Sequence, residues 1–371
     1  MQTVIVTGGA GFIGSHLVRR LVGGGRHRVI NLDALTYAAD QRLLAPLAAT
    51  GRYVFEHADI RDAGALKRIF AQHKPDGVFH LAAESHVDRS IENPTVFVET
   101  NVLGTVRLLD AAVAHMQTLR DEAKSRFRFV HVSTDEVFGS LGATGFFHET
   151  TAYDPSSPYS ASKAASDHMA RAWGRTYGLP VIVTNCSNNY GPAQFPEKLI
   201  PLMIVKAWRG EPLPVYGKGE NVRDWIHVGD HAAGLETVMD CGKIGETYCL
   251  GGQNELSNIS VVHAICDGLD QRAGLLASGP RRNWVRHVTD RPGHDARYAI
   301  DTARVSRDLG WIPSRTFSEG LFETIDWYIA NEPWWGPLAD KKSALERRGL
   351  AGSHKKIVSP ILEPSTQLDP S

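Results

Sequence analysis

The stretch Thr3-Val-Ile-Val-Thr7-Gly8-Gly9-Ala10-Gly11-Phe12-Ile13-Gly14 decides how the rest of the chain is read. Its first five residues form a β-branched run of the length of a buried strand. The glycines follow at once and satisfy both Gly9-x-Gly11-x-x-Gly14 and Gly8-x-x-Gly11-x-x-Gly14, and Ile13 to Val22 continues with the apolar period of an amphipathic helix. Such a turn lets the backbone approach a pyrophosphate, whose charge meets the amino end of the helix. Gly-rich turns also occur as plain tight packing, so the next acid matters. Asp33 closes the second β-branched run, 19 residues after Gly14. A carboxylate there accepts hydrogen bonds from the adenosine ribose and repels a 2′-phosphate, which favours NAD over NADP.

Outward from this stretch, short apolar runs alternate with helical patterns. Arg28 to Leu32, Tyr53 to His57, Asp76 to His80, Phe127 to Ser133 and Pro180 to Thr184 read as buried strands; Ala63 to His73 and Thr95 to Met116 read as helices. This is the pattern of an α/β protein with a Rossmann-type doubly wound parallel sheet, whose ligand crevice lies at the carboxyl ends of the strands. After about residue 190 the pattern changes. Gly191-Pro192, Gly210-Glu211-Pro212 and Tyr216-Gly217 break the chain into shorter elements. We expect residues 1–190 to form the dinucleotide-binding domain, with the chain returning to it near 225–255 through Glu246 to Leu250. Residues 191–335 are expected to form a smaller interleaved lobe, and 336–371, charged and then Pro- and Ser-rich, a mobile tail.

Length and charge narrow the class. A chain of 371 residues buries enough surface to fold without metal or disulfide staples. Forty basic residues against 41 acidic ones, with no long run of either sign, argue against a nucleic-acid surface built on bulk charge. Cys186, Cys241, Cys249 and Cys266 form no Cys-x-x-Cys pair and read as packed reduced thiols. No run of residues is long and apolar enough for a membrane span, and no basic leader precedes Thr3 to Thr7, so the cytoplasm is the expected compartment.

Two further segments carry chemistry. Tyr159-Ser-Ala-Ser-Lys163 places a phenol and an ammonium at i and i+4 on one helix face. Beside a nicotinamide, the ammonium is expected to lower the phenol's pKa, so that it takes a proton from a sugar hydroxyl as hydride leaves the same carbon. Such a pair is also common on solvated helices, and a hydroxyl partner distinguishes the two; Thr134 supplies it at the end of the preceding strand. Asp135 and Glu136 follow Thr134 directly. Adjacent carboxylates at a strand end often cap a helix. At a hydride-transfer site they instead supply one acid and one base, which a simple dehydrogenase or epimerase does not need and the elimination of water from a sugar does.

With Gly8 to Gly14, the segments His80-Leu-Ala-Ala-Glu-Ser-His-Val-Asp-Arg-Ser90, Ser133-Thr-Asp-Glu-Val-Phe-Gly139, Ser157-Pro-Tyr-Ser-Ala-Ser-Lys163, Asn185-Cys-Ser-Asn-Asn-Tyr-Gly-Pro192, Arg223-Asp-Trp225 and Asp290-Arg-Pro-Gly-His-Asp295 together resemble the dTDP-glucose 4,6-dehydratase family of extended short-chain dehydrogenases. The resemblance covers residues 2–332. It implies that Tyr159, with Lys163 and Thr134, starts oxidation at sugar carbon 4. Asp135 would protonate the oxygen leaving carbon 6, and Glu136 would take the proton from carbon 5. Hydride would return to carbon 6, leaving bound NAD unchanged and a 4-keto-6-deoxy sugar for deoxysugar biosynthesis. NAD contacts would come from Gly8, Gly11, Phe12, Ile13, Gly14, Asp33, Ala34, Leu35, Thr36, Asp59, Ile60, Leu81, Ala82, Ala83, Ser85, Thr100, Tyr159, Lys163 and Asn189. The substrate dTDP-glucose would meet Ser85, Thr134, Asn188, Lys198, Leu199, Pro214, Val215, Tyr216, Arg223, Asn258, Asp290, Arg291, Pro292, Gly293 and His294. Arg223 suits the diphosphate because its planar fork holds two oxygens, unless it pairs internally with Asp224 or Asp230.

The resemblance also implies a homodimer formed through Thr95 to Met116 and Tyr159 to Tyr177, with the small residues Ala161, Ala164, Ala165 and Ala172 permitting close approach. Three departures from the family stand out: Ala34 where a lysine is frequent, Phe138 in place of a tyrosine, and a short loop from Ser140 to Glu149. A nucleotide-sugar epimerase or decarboxylase shares Tyr159 and Lys163 but gives Asp135 and Glu136 no task. A non-catalytic NAD-sensing protein would not require Thr134, Tyr159 and Lys163.

Overall fold

The computed structural model describes residues 1–290 and 294–340. Arg291, Pro292 and Gly293, assigned above to the substrate, lie outside the described residues, as does the tail from 341 onward.

Each β-branched run is a strand: β1 Gln2–Thr7, β2 His27–Asp33, β3 Tyr53–His57, β4 Gly77–His80, β5 Arg128–Thr134 and β6 Val181–Cys186. The later strands are β7 Asn188–Tyr190, β8 Leu213–Tyr216, β9 Val222–His227, β10 Thr247–Leu250, β11 Glu255–Ser257 and β12 Val285–Val288. The main sheet has seven parallel strands in the order β10-β6-β5-β4-β1-β2-β3. The order reverses between β1 and β4, and it is there that the strand ends and their loops diverge to leave a crevice.

The sheet residues are apolar without alternation because both faces are covered. On one face, Leu17, Val18 and Leu21 of the helix Phe12–Gly23 pack with Leu235 and Val238 of the helix Val228–Cys241 over Val6, Phe79 and Val130. On the other, Leu66 and Ile69, Leu108 and Leu109, and Ala170 cover Ile5, Val78 and Phe129. A separate core built on Ile200, Ile204, Leu213, Val261, Ile265, Leu321 and Ile325 carries the two small sheets, β11-β9-β7 and β12-β8.

The structure departs from the sequence reading in three places. The single helix expected over Thr95 to Met116 is a short helix Pro94–Phe97, a π-helical stretch Val98–Gly104 and a helix Thr105–Thr118. The wider turn points the Asn101 side chain inward, where Oδ1 accepts from Glu84 N (2.8 Å) and Nδ2 donates to Glu84 O (2.9 Å) and Ser162 Oγ (2.8 Å). The segment from residue 336, expected within the tail, begins inside the helix Glu332–Ala339, whose Trp335 and Ala339 are buried in the second core. Cys241 is exposed, whereas Cys186, Cys249 and Cys266 are packed inside; all four are free thiols.

Candidate active site

The glycine turn is shaped for a dinucleotide. At Gly8 the backbone takes φ +70°, and a Cβ there would lie 2.8 Å from the backbone of Ala82 at the end of β4. A Cβ at Gly14 would lie 2.1 Å from the Gly8 carbonyl oxygen. The helix Phe12–Gly23 starts from Gly11 with no side-chain cap and no acid in its first turn, so its first N–H groups are left for an anion. Asp33 is 7% exposed and ties this turn to the end of β2: Oδ2 accepts from Ala10 N (2.9 Å) and Oδ1 from Leu35 N (2.8 Å). Burial raises its pKa, against those two hydrogen bonds. Ala34 to Thr36, Asp59 and Ile60, and Leu81 to Ala83 with Ser85 follow the carboxyl ends of β2, β3 and β4. These residues fit NAD: an uncapped helix end, a turn with Gly8, Gly9 and Gly11, and a buried acid beside it.

Two assigned residues turn elsewhere. Ile60 is buried in the helix-covered core with Leu66 and Ile69, so its side chain is not available to a cofactor. The Asn189 amide hydrogen-bonds internally, with Oδ1 2.9 Å from His231 Nδ1 and Nδ2 donating to Ser187 O (3.0 Å) and Cys186 Sγ (3.4 Å). Asp59 is held by its own neighbour, Arg61, which donates Nη2 at 2.7 Å.

The reactive groups gather at the end of β5. Thr134 closes the strand and caps the short turn Asp135–Phe138, its Oγ1 accepting from Glu136 N at 3.3 Å. Ser157 forms a capping box with Ser160, and Pro158 opens the helix, so Tyr159 stands in the first turn of Pro158–Tyr177. Tyr159 and Lys163 are both buried. Thr134 hydrogen-bonds the phenol, which partly offsets burial and the negative charge of Glu136; together those two hold the Tyr159 pKa well above its ordinary value. The expected lowering by Lys163 is not what the structure shows. Its Nζ donates to the Val132 carbonyl at 2.9 Å, and burial with the Glu136 charge sets the direction at the phenol.

Asp135 is the most perturbed acid. Its Oδ1 accepts from Thr134 Oγ1 at 3.3 Å, while Oδ2 is buried with no hydrogen-bond partner among the described residues. Burial, Glu136 and Asp224 push its pKa well up, against Arg223. It is therefore a neutral acid with a proton to give, next to a half-buried second carboxylate. Asp224 was missed from the sequence. It sits on β9, 1% exposed, accepting from Asn254 N (2.7 Å) and Gly252 N (3.1 Å), with burial raising its pKa to about 6. Its only sequence signal is its place between Arg223 and Trp225.

The second lobe closes the other side. Arg223 lies with its guanidinium 4.2 Å from the Tyr298 ring centroid and donates to the carbonyls of Val222 (2.8 Å) and Asp295 (2.9 Å). The internal ion pair is not formed among the described residues: Asp230 pairs with Arg315 (3.0 Å), and Asp224 takes backbone donors. Lys198 Nζ donates to Ser85 O across the crevice (2.9 Å), and Leu199 follows it into a helix. Asn188 Oδ1 is buried without a hydrogen-bond partner among the described residues. Asn258 opens the helix Asn258–Ala273. His294 Nδ1 lies 2.7 Å from Asp290 Oδ1, and its ring meets Tyr216 edge-on. Val215 is 2% exposed in the lobe core, so its side chain is not available to a ligand and only the backbone of β8 is; Pro214 beside it is half-buried. Phe138 packs against Phe147 and Tyr153 rather than facing the crevice. The loop after it is pinned to the Arg297–Ile300 segment through Leu141 N and Phe147 N.

A nucleotide crevice with a Tyr/Lys pair and two strand-end carboxylates defines an NAD-dependent enzyme of the extended short-chain dehydrogenase class. Residues 5–324 match the family described as GDP-mannose 4,6 dehydratase. The chain is 57% identical over 340 residues to the dTDP-glucose 4,6-dehydratase of Shigella flexneri, covering 89% of this chain and 94% of that one. The crystal structure of the dTDP-glucose 4,6-dehydratase of Streptomyces venezuelae, with NAD and a thymidine nucleotide bound, is 47% identical with a TM-score of 0.83, covering 91% of this chain and 99% of that one. The UDP-glucose 4-epimerase of Thermotoga maritima shares the fold (TM-score 0.77) at 26% identity, covering 88% of this chain and 99% of that one. The chain belongs to the dTDP-glucose 4,6-dehydratase family.

Proposed function

We propose that this chain converts dTDP-glucose to dTDP-4-keto-6-deoxyglucose and water. NAD, when bound, supplies a hydride acceptor for carbon 4 and later a donor for carbon 6. Every other task falls to side chains. Gly8, Gly11 and Gly14 with the helix end hold the pyrophosphate, and Asp33 the adenosine ribose. Tyr159, hydrogen-bonded by Thr134, takes the proton of the carbon 4 hydroxyl, and Lys163 contributes its charge from the next turn of the same helix. A ketone at carbon 4 makes the carbon 5 proton acidic. Glu136 removes it, and Asp135 gives its proton to the hydroxyl leaving carbon 6. Arg223 holds the diphosphate in its planar fork.

The observation that carries this reading is the buried Oδ2 of Asp135, without a hydrogen-bond partner among the described residues, beside Glu136 and within one hydroxyl of Tyr159. An epimerase has no use for that acid. The test is to incubate purified protein with dTDP-glucose and follow the sugar: we expect the 4-keto-6-deoxy product, abolished in Tyr159→Phe. Recovery of a carbon 4 epimer, or no turnover, overturns the reading.

Residues 1–190 with β10 would be the NAD-binding unit and residues 191–335 mainly the nucleotide-sugar lobe. A homodimer through Thr95 to Met116 and Tyr159 to Tyr177 is supported by exposed Val98, Leu103 and Tyr177, and by Ala161 and Ala172 on the outer helix face; Ala164 instead packs inward. The free cysteines favour the cytoplasm, and among the described residues no helix is long and apolar enough to cross a membrane.

A further inference from the structure

One turn beyond Lys163, on the same helix, lies a carboxylate the reaction does not use. Asp167 is 0% exposed. Its Oδ1 accepts from His131 Nε2 at 3.0 Å and its Oδ2 from Tyr153 Oη at 2.8 Å. Both donors are neutral. Burial and the Lys163 charge push the His131 pKa down, and burial pushes the Tyr153 phenol up. Arg171 reaches the Tyr153 hydroxyl (2.9 Å) and Thr247 Oγ1 (3.1 Å), and among the described residues neither it nor any lysine or arginine ion-pairs with Asp167. A carboxylate with two neutral donors keeps its full charge inside the protein, where an unopposed charge is costly.

The cation that faces it is Lys163, whose own hydrogen bond goes to a neutral carbonyl, Val132 O. The other groups around that ammonium are His80 from β4, His131 from β5, Cys186 from β6 and Tyr159 on its own helix. Burial first of all keeps both imidazoles deprotonated and the thiol and phenol protonated, so none of these carries charge. Asp167 is thus the carboxylate whose charge acts on Lys163, from one turn further along the same helix. Burial lowers the Lys163 pKa and Asp167 opposes that; reciprocally, burial would raise Asp167, and the His131 hydrogen bond with the Lys163 charge holds it low.

We propose that Asp167 is a positioning residue for hydride transfer: a buried counter-charge, aimed by His131 and Tyr153, that holds Lys163 in its ammonium form beside Tyr159. The inference rests on the role proposed for Lys163. Removing the charge leaves burial without its largest opponent at the lysine, so the ammonium is lost at lower pH.

The experiment uses protein carrying 13Cε-labelled lysine, with the Lys163 resonance identified by its loss in Lys163→Met. Asp167→Asn and Asp167→Ser make the same charge change, one isosteric and one smaller in case the first fails to fold. In both we expect the Lys163 titration midpoint, and the alkaline limb of kcat/KM, to fall by about one pH unit or more. Asp167→Glu should restore them. An unmoved Lys163 midpoint, even with lower activity or Tm, would mean a merely structural carboxylate and overturn the proposal. Native activity in Lys163→Met would instead overturn the role of the lysine itself.

Discussion

Replacing Asp135 with asparagine removes a proton and, below the raised pKa of the folded carboxyl, no charge. Burial, with Glu136 and Asp224 nearby, sets that state. The kinetic and thermodynamic consequences therefore have opposite signs. Without the acid, loss of water should slow by about a hundred- to ten-thousandfold, or roughly 3–5 kcal/mol of barrier. Oxidation at carbon 4 is untouched, so single-turnover absorbance should show NADH accumulating before product.

Stability should move the other way with pH. The unfolded chain ionises Asp135 above its ordinary pKa of 3.8, while the folded chain keeps the proton until its raised pKa is reached. In that window the native protein loses about 1.4 kcal/mol per pH unit from this group, and the variant loses nothing. The amide leaves an unsatisfied donor at the Oδ2 position, costing about 1–3 kcal/mol at every pH, so the slope is diagnostic rather than the offset. Urea unfolding of both proteins at equal NAD loading, from pH 4 to neutrality, should show the variant gaining on the native protein as pH rises. Parallel curves would mean that Asp135 is ionised when folded, and its role as the acid would be refuted.

Glu136→Gln should oxidise the sugar yet stall before elimination, so that NADH and the 4-keto hexose build up on the protein; turnover at the native rate, measured by product formation, would exclude Glu136 as the carbon 5 base. Asp33→Ala removes the ribose acceptor together with the bonds to Ala10 N and Leu35 N, and NAD affinity measured by titration calorimetry should fall about ten- to a hundredfold. Unchanged affinity would place the adenosine ribose elsewhere.

The parallel sheet was legible because its strands are β-branched runs bounded by glycine and acid: Thr3 to Thr7 and Tyr53 to His57 lie where they were expected. Local capping made the catalytic helix readable too, since Ser157-Pro158 starts it one residue before Tyr159. What stayed hidden depends on through-space contact. The periodicity of Thr95 to Met116 is the same for an α-helix and for one with a π turn, and only the Asn101 bonds to Glu84 and Ser162 distinguish them. The burial of Val215 and the inward turn of Asn189 follow from packing partners far along the chain. The Tyr159 pKa direction came out reversed because the sequence places Lys163 near the phenol without revealing the burial and the Glu136 charge that raise it.

The late arrival of β10 constrains how this protein is made. Its pairing with β6 runs from Thr247↔Val183 to Leu250↔Cys186, and Val183 N also reaches Glu246 O. A nascent chain that has emerged only through Cys186 presents the first six strands with the β6 edge bare, a template for pairing with a neighbouring chain on the same message. The sheet cannot close until Leu250 has left the ribosome, after all of β7, β8 and β9. Translation of those strands is thus an interval of exposure, in which a pause or premature stop releases an aggregation-prone half rather than a working nucleotide-binding module.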